Sequence, residues 1–421
     1  MISTWQGACF TSRMSGRSRK LKIIQLWNQT RRTWTEMKVG IITFHHTTNY
    51  GATLQAYALW ETIRDQGHGA ELIDYRPHSA VRHYQRKVYM PEEKRRGKKH
   101  FVINLFKNFL PNLKRYTRMR YFLTSHITLS RKILDRKDLP TLFEDDQGYD
   151  AIVAGSDQVW CTTSIRGFDP SYFLDFIPKS SECKKISYAA SFGPTKTLAD
   201  ERDTITRLVQ DFDAIAVRDS NSLSILQRDC GETATKVLDP TFLTDFKNVI
   251  PTRPRSQPYL LLYLEKQISQ EEKRFIQSTA ERQGLKIISI GNSYGIADKV
   301  SADIDPKEWL WHFKHASFIV TNFYHGTIFS IKFGRQFTML ARESKINKAK
   351  DLLDMLDLTH RMVTQADADT VTIQSAEIDY ESVNKLIEQE VHKSRSYLVG
   401  ALSQSSKIPS SIESVGVSSI S

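Results

Sequence analysis

The chain has 421 residues and a formal net charge of +12, with 40% hydrophobic and 25% charged residues. That composition is globular, the length allows two domains, and the absence of an apolar run of about 18 residues excludes a membrane-spanning helix. Four widely spaced cysteines, Cys9, Cys161, Cys183 and Cys230, form no CxxC pair; this excludes a disulfide frame or zinc site and reads as thiols in a reducing compartment.

Residues 1–36 hold Arg13, Arg17, Arg19, Lys20, Lys22, Arg31 and Arg32 against Glu36 alone. They lack the apolar core and small-residue cleavage site of a secretory signal. A basic transit peptide stays open as an alternative. The pattern of a folded domain starts cleanly at Met37, so a loose tail ahead of a start at Met37 is expected. The β-branched run Val39–Phe44 predicts a strand, the loop through His45, His46, Asn49, Tyr50 and Gly51 a tight turn, and Ala52–Leu59 a helix. In an open parallel sheet such a junction faces the ligand crevice, and the helix amides there favour anions. An ordinary turn shaped by Asn49 and Gly51 is the plain alternative.

A basic stretch follows at about 82–137, with Phe101, Ile103, Leu105, Phe106, Phe109 and Leu110 at roughly helical spacing among its lysines and arginines. Such a helix either lies on an anionic membrane or packs its apolar stripe on its own domain. No nucleic-acid module is present in it, so no nucleic-acid partner is expected. Strands are then predicted at 150–154, 185–190, 214–217 and 236–238, with a helix at about 198–211. The Pro251, Pro254 and Pro258 region, 246–258, reads as a linker. A second series has strands at 259–264, 286–290, 318–321 and 336–340, helices at 271–283, 306–314 and from His325, and a closing helix at about 380–398. The serine-rich residues 401–421 read as disordered. The expected fold is α/β, with two Rossmann-like lobes at 37–245 and 259–400 and the basic helical insertion in the first. Ligands of such folds favour the interface between lobes.

The polar residues at strand ends carry the candidate chemistry. His325 opens an apolar helix, where the positive end of the dipole favours a neutral ring; Gly326 permits close backbone approach and Thr327 offers a hydroxyl. A capping or buried structural histidine is the alternative. Arg218 ends an apolar strand and suits bidentate capture of carboxylate or phosphate, unless it is spent on Asp219 or Asp239. The run Gly155-Ser156-Asp157-Gln158-Val159-Trp160 groups a carboxylate, an amide and an indole, which suit a sugar. Asp239-Pro240-Thr241 reads as a turn. No phosphate loop, HExxH, EF-hand or acidic metal pair occurs, so no tightly bound metal is expected.

Taken together, the ordered set Phe44-His45, Asn49-Tyr50-Gly51-Ala52, Leu54–Leu59, Gly155–Trp160, Tyr188–Gly193, Val217-Arg218-Asp219, Leu238–Thr241 and Phe323-Tyr324-His325-Gly326 resembles the polysaccharide pyruvyltransferase family. The resemblance spans about Lys38 to Leu340. It implies a glycosyltransferase-B-like fold and transfer of an enolpyruvyl unit from phosphoenolpyruvate, as co-substrate without a cofactor, to a hexose as a pyruvate ketal. It places His325 on the catalytic histidine and Arg218 on a donor-binding arginine, with Gly326 and Thr327 beside the donor. The acceptor, a cell-surface or exopolysaccharide or its lipid-linked precursor, would meet His45, Asn49, Tyr50, Gln55, Asp157, Gln158 and Trp160. Phe323 departs from the pattern, since characterised members commonly carry an arginine there. A cytoplasmic protein touching the inner membrane face through its basic insertion is implied. A nucleotide-sugar-dependent glycosyltransferase and a non-enzymatic glycan-binding or scaffold protein are the alternatives. The second is favoured if His325 is buried or Arg218 is held in an ion pair.

Overall fold

A computed structural model describes residues 36–78, 110–144, 148–164, 167–254, 257–265, 267–342, 346–365, 370, 374 and 376–403. Short apolar strands buried on both faces dictate parallel sheets under helices. In the N-terminal lobe, β1 (Lys38–Ile42), β2 (Gly69–Leu72), β3 (Ala151–Ala154) and β4 (Lys184–Ser187) form a parallel sheet in the order β2-β1-β3-β4. The short pair β5 (Ala216–Val217) and β6 (Thr235–Lys236) continues it through bridges at Ile186–Ala214 and Ala190–Val217. The expected strand at 185–190 ends at Ser187, and Ala189 takes a φ of 56° as the chain leaves the sheet.

Helix α1 (Tyr50–Asp65) connects β1 to β2, its first turn capped by the Asn49 side chain, which accepts from the Gly51 amide. Helix α2 (Leu110–His126) comes from the basic insertion. Its Met119, Phe122 and Leu123 are buried, and the Phe122 ring meets Tyr57 of α1 at 5.7 Å. This part of the insertion therefore packs its apolar stripe on its own domain; residues 79–109, which hold most of the expected membrane-facing stripe, lie outside the described residues. Among the described residues no helix is long and apolar enough to cross a membrane.

The C-terminal lobe holds a six-stranded parallel sheet: β7 (Tyr259–Tyr263), β8 (Lys286–Ile290), β9 (Lys299–Ser301), β10 (Phe318–Thr321), β11 (Gln336–Leu340) and β12 (Met362–Val363), in the order β12-β11-β10-β7-β8-β9. Its helices are α5 (Gln270–Arg282), α6 (Pro306–His315), α7 (Tyr324–Lys332) and α8 (Ile346–Met355), numbered after α3 (Arg202–Gln210) and α4 (Ser220–Ile225) of the first lobe. Phe275 and Ile276 of α5 join Leu260, Leu262, Phe318, Val320 and Leu340 in one core cluster. The Trp309 ring of α6 packs on Tyr263 and on Phe329 of α7. Helices thus cover both sides of the sheet, as its reversed strand order requires.

The chain divides into two units between Met37 and Lys38, and before that division only Glu36 and Met37 are described, so the expected basic tail falls outside the description. Within the second unit the two lobes are tightly stitched. The Tyr50 hydroxyl donates to the Ile304 carbonyl at 2.8 Å and its ring stacks on Trp309 at 5.7 Å. Arg118 donates to the Asp303 carbonyl at 2.7 Å, and Phe246 meets Phe329 at 5.4 Å. Phe246 and Val249 are buried, so the first residues of the expected linker serve as packing between lobes. The closing helix α9 (Tyr380–Ser403) runs onto the N-terminal lobe, where the Tyr397 hydroxyl donates to Ser187 and the Lys184 ammonium to the Leu402 carbonyl. Residues 401–403, expected to be disordered, are its last turn, because Ala401 and Leu402 are buried there.

Candidate active site

Three loops at carboxyl ends of N-terminal strands meet the start of one C-terminal helix. Ser156 follows β3, Arg218 follows β5 and Asp239 follows β6; His325 sits in the first turn of α7, after β10. The Asp239 carboxylate joins them. Its Oδ1 accepts from the Thr241 amide at 3.1 Å and hydroxyl at 2.7 Å, which fixes the loop. Its Oδ2 accepts from the Arg218 guanidinium at 3.0 Å and from the Ser156 hydroxyl at 3.0 Å, and faces His325 Nε2 at 3.5 Å, an ion-pair rather than a hydrogen-bond distance. All four groups are buried. Burial alone would raise the Asp239 pKa, but His325 and Arg218 hold the carboxyl well below the usual carboxylate range. Burial works against the Arg218 charge, yet Tyr324 and the neighbouring carboxylates push its pKa up. The guanidinium also lies 4.7 Å from the Tyr324 ring centroid.

Gly51 explains how His325 reaches this carboxylate. A Cβ on Gly51 would lie 2.2 Å from the His325 ring, so only glycine lets the N-terminus of α1 abut that of α7. Two helix N-termini thus point their positive ends at the cluster. Among the described residues His325 Nε2 and Arg218 Nε have no hydrogen-bond partner. Buried polar atoms left in that state call for an explanation, and a ligand is one. A cavity of about 20 Å³ adjoins Arg218, walled by Tyr324, Lys236 and Asp351. That is room for about one water molecule. Lys236 is itself paired with Asp351 at 3.1 Å.

The structure therefore brings Arg218 and His325 together, and it does so in the state named above as favouring a scaffold: His325 is buried and Arg218 is ion-paired. The shared carboxylate gives that state a second meaning, since acid–base and anion-binding groups are held in one network. Asp157, with a φ of 93°, lies 3.9 Å from Arg218 and stays partly exposed; Gln158 is half-buried, with its amide against Gly193. Gly326 is a packing glycine, for its Cβ would strike the Thr321 hydroxyl at 2.1 Å. Thr327 is buried and donates to the Phe323 carbonyl at 3.3 Å.

Most of the expected acceptor contacts are committed elsewhere. His45 is fully buried, its Nδ1 2.9 Å from the Thr43 carbonyl oxygen and its Nε2 2.9 Å from the Asp74 carboxylate. Asp74 also binds Arg76 and, at 3.1 Å, Arg120 of α2. Burial would raise the Asp74 pKa, but His45 and Arg76 bring it down to about 2. His45 therefore helps fasten the insertion to the sheet. Asn49 is spent on the cap of α1 and Tyr50 on the lobe contact. Gln55 is buried, and its amide donates to Thr43, Phe44 and Ala52. Trp160 is a core residue stacked on Phe173 at 5.0 Å, with its indole N–H on the Tyr172 carbonyl, so its ring offers no face to a sugar. Asn49, Tyr50 and Gln55 are engaged with nearby backbone groups, His45 with backbone and the Asp74 carboxylate, and Trp160 with the core. Asp239, Ser156, Gly51 and Lys236 were missed as site residues. The first three stood inside the quoted motifs, but a pairing across 83 residues, Ser156 with Asp239, has no local signal.

Among the described residues no group of three or more His, Cys, Asp or Glu side chains is placed to hold a metal ion. No curated protein matches the chain. Among solved structures, UGT89C1 of Arabidopsis thaliana, crystallised with UDP-L-rhamnose, is 12% identical with a TM-score of 0.51, covering 88% of this chain and 99% of that one. The glycosyltransferase SnogD of Streptomyces nogalater is 12% identical with a TM-score of 0.41, covering 87% and 100%. The first likeness shows the glycosyltransferase-B-like α/β fold. The model of the polysaccharide pyruvyl transferase family matches residues 49–344, a span that contains Gly51, Ser156, Arg218, Asp239 and His325, and the chain belongs to that family of transferases.

Proposed function

We propose that the protein transfers the enolpyruvyl unit of phosphoenolpyruvate to a hexose of a cell-surface polysaccharide or exopolysaccharide, or of its lipid-linked precursor, and leaves it as a pyruvate ketal. The observation that supports this reading is the single Asp239 oxygen shared by Arg218 and His325. It holds a fixed cation and a titratable ring side by side, and the reaction needs both. Arg218, with Lys236 on the cavity wall, grips the carboxylate and phosphate of the donor. Protonated His325 delivers its proton to C3, turning the methylene into a methyl group and C2 into an oxocarbenium-like centre. One sugar hydroxyl adds to C2; a second forms the other C–O bond as the C–O bond to phosphate breaks. Of the two hydroxyl protons released, one restores His325 and one leaves with phosphate.

A cavity of about 20 Å³ is too small for the donor, so the reading requires the site beside Arg218 to widen when the donor binds. Phe323, where characterised members commonly carry an arginine, packs on Tyr263 at 4.6 Å and supplies no charge, which leaves Arg218 as the main anchor. A lipid-linked acceptor would place the protein in the cytoplasm, at the inner face of the membrane.

Thermal shift with phosphoenolpyruvate and with nucleotide-sugars tests the donor. Phosphoenolpyruvate is expected to stabilise the protein, and Arg218→Ala to remove about 1.5–3 kcal/mol of that binding. Arg218→Ala also strands the Asp239 carboxylate, so its own melting temperature will fall; the ligand-induced shift is the readout. Stabilisation by nucleotide-sugars alone, or a phosphoenolpyruvate shift untouched in the variant, would refute the assignment.

A further inference from the structure

The acceptor contacts expected in the N-terminal loops are mostly spent on structure, so the saccharide needs another seat. Resting on the pyruvyl-transfer reading, we propose that the crevice at the carboxyl edge of the C-terminal sheet binds the acceptor as a neutral, polyhydroxylated saccharide. The crevice has a volume of about 770 Å³, within the usual range of small-molecule sites. Its walls are Gln267 and Ser269 after β7, Arg342 after β11, and Thr364 and Gln365 after β12. Strand order reverses between β7 and β10, and the crevice, which takes one wall from the loop after β7 and the others from the loops after β11 and β12, lies outside the carboxyl ends of the strands, where open α/β sheets take ligands.

Electrostatics selects the ligand class. Among the described lining residues Arg342 is the one cation, and it is neutralised by a fork onto Glu272, at 2.6 and 3.1 Å. The N-terminus of α5, which would otherwise attract a phosphate, is already occupied. Ser269 and Glu272 close a capping box across it, at 2.8 and 3.1 Å, and Glu271 adds a further negative charge. A phosphate or nucleoside diphosphate therefore meets a negative surplus and a filled anion position. A saccharide meets what it needs: amides and hydroxyls from Gln267, Gln365 and Thr364, apolar surface from the half-buried Ile268 for its C–H faces, and the guanidinium plane of Arg342. The strand leading to His325, β10, runs between β7 and β11, so the crevice and the His325 loop lie at the same sheet edge.

The test uses ligand-observed NMR on the full chain with lactose, cellobiose and N,N′-diacetylchitobiose, and with UDP in parallel. Thr364 and Gln365 are exposed, so Thr364→Trp plugs the crevice without entering the core, and Gln365→Ala is a milder second variant. At least one disaccharide is expected to bind and UDP not to bind. Thr364→Trp should weaken that binding about tenfold or more, as loss of a few contacts does, and raise the acceptor KM while leaving the phosphoenolpyruvate thermal shift unchanged. Failure of every disaccharide to bind, unchanged disaccharide affinity in both variants, or UDP binding that Thr364→Trp removes would each overturn the proposal. Saccharide binding lost in Thr364→Trp, in a protein that does not respond to phosphoenolpyruvate, would keep the crevice and refute the pyruvyl-transfer reading instead.

Discussion

His325→Gln is expected to give a folded protein that still binds phosphoenolpyruvate but turns over about 10²–10⁴-fold more slowly, the usual loss when a general acid or base is removed. Glutamine keeps much of the ring's length and can still hydrogen-bond toward Asp239, yet it has no proton to exchange near neutral pH. The substitution is also spatially mild, because the ring packs on Gly51, which has no side chain to clash. Single-turnover kinetics with bound donor separates the chemical step from binding. Near-normal turnover would remove His325 from the mechanism. An unfolded variant would show the ring to be a core residue and favour a scaffold role.

The second large effect is on stability. Asp239→Ala should destabilise the protein by about 3–5 kcal/mol, because it leaves the Arg218 charge buried without its main partner; the Arg218 side chain is only 2% exposed. Asp239→Asn keeps the shape and isolates the charge. The pH dependence has a definite sign. The Asp239 carboxyl titrates below its unfolded value, so its stabilisation is complete above the unfolded carboxylate pKa of about 4 and is lost as pH falls toward the lower folded value. Melting temperatures from neutral to acid pH should therefore fall less steeply for Asp239→Asn than for the parent. Parallel pH profiles would show that the ion pair contributes no net stability.

How much of this was legible in the sequence depended on the range of each interaction. Phe318–Thr321, Lys286–Ile290 and Gln336–Leu340 are apolar runs between polar loops, and each forms the strand it predicts. The edge strands β9 and β12 escaped notice because three and two residues carry no periodicity of their own; neighbours in the ladder hold them in place. Helix α9 was legible as a helix, but its docking on the other lobe rests on partners some 150–220 residues away, such as Leu238 with Ser394. The site divides in the same way. Arg218 and His325 were visible because a cation or a titratable ring at a strand end has few local uses. Trp160 and His45 misled because an indole and an imidazole suit a sugar or a core equally well, and only burial separates the two. Asp239 looked like a turn because its local bonds to Thr241 do make one; its other oxygen carries the long-range pairing.

Pyruvyl transfer from phosphoenolpyruvate to a saccharide is decided by mass analysis of glycans incubated with the protein, with and without phosphoenolpyruvate. A mass gain of one pyruvate ketal per acceptor hexose is expected, dependent on phosphoenolpyruvate, matched by released phosphate and absent with His325→Gln. Unmodified glycans, or a gain of a whole sugar only when a nucleotide-sugar is supplied, would contradict it.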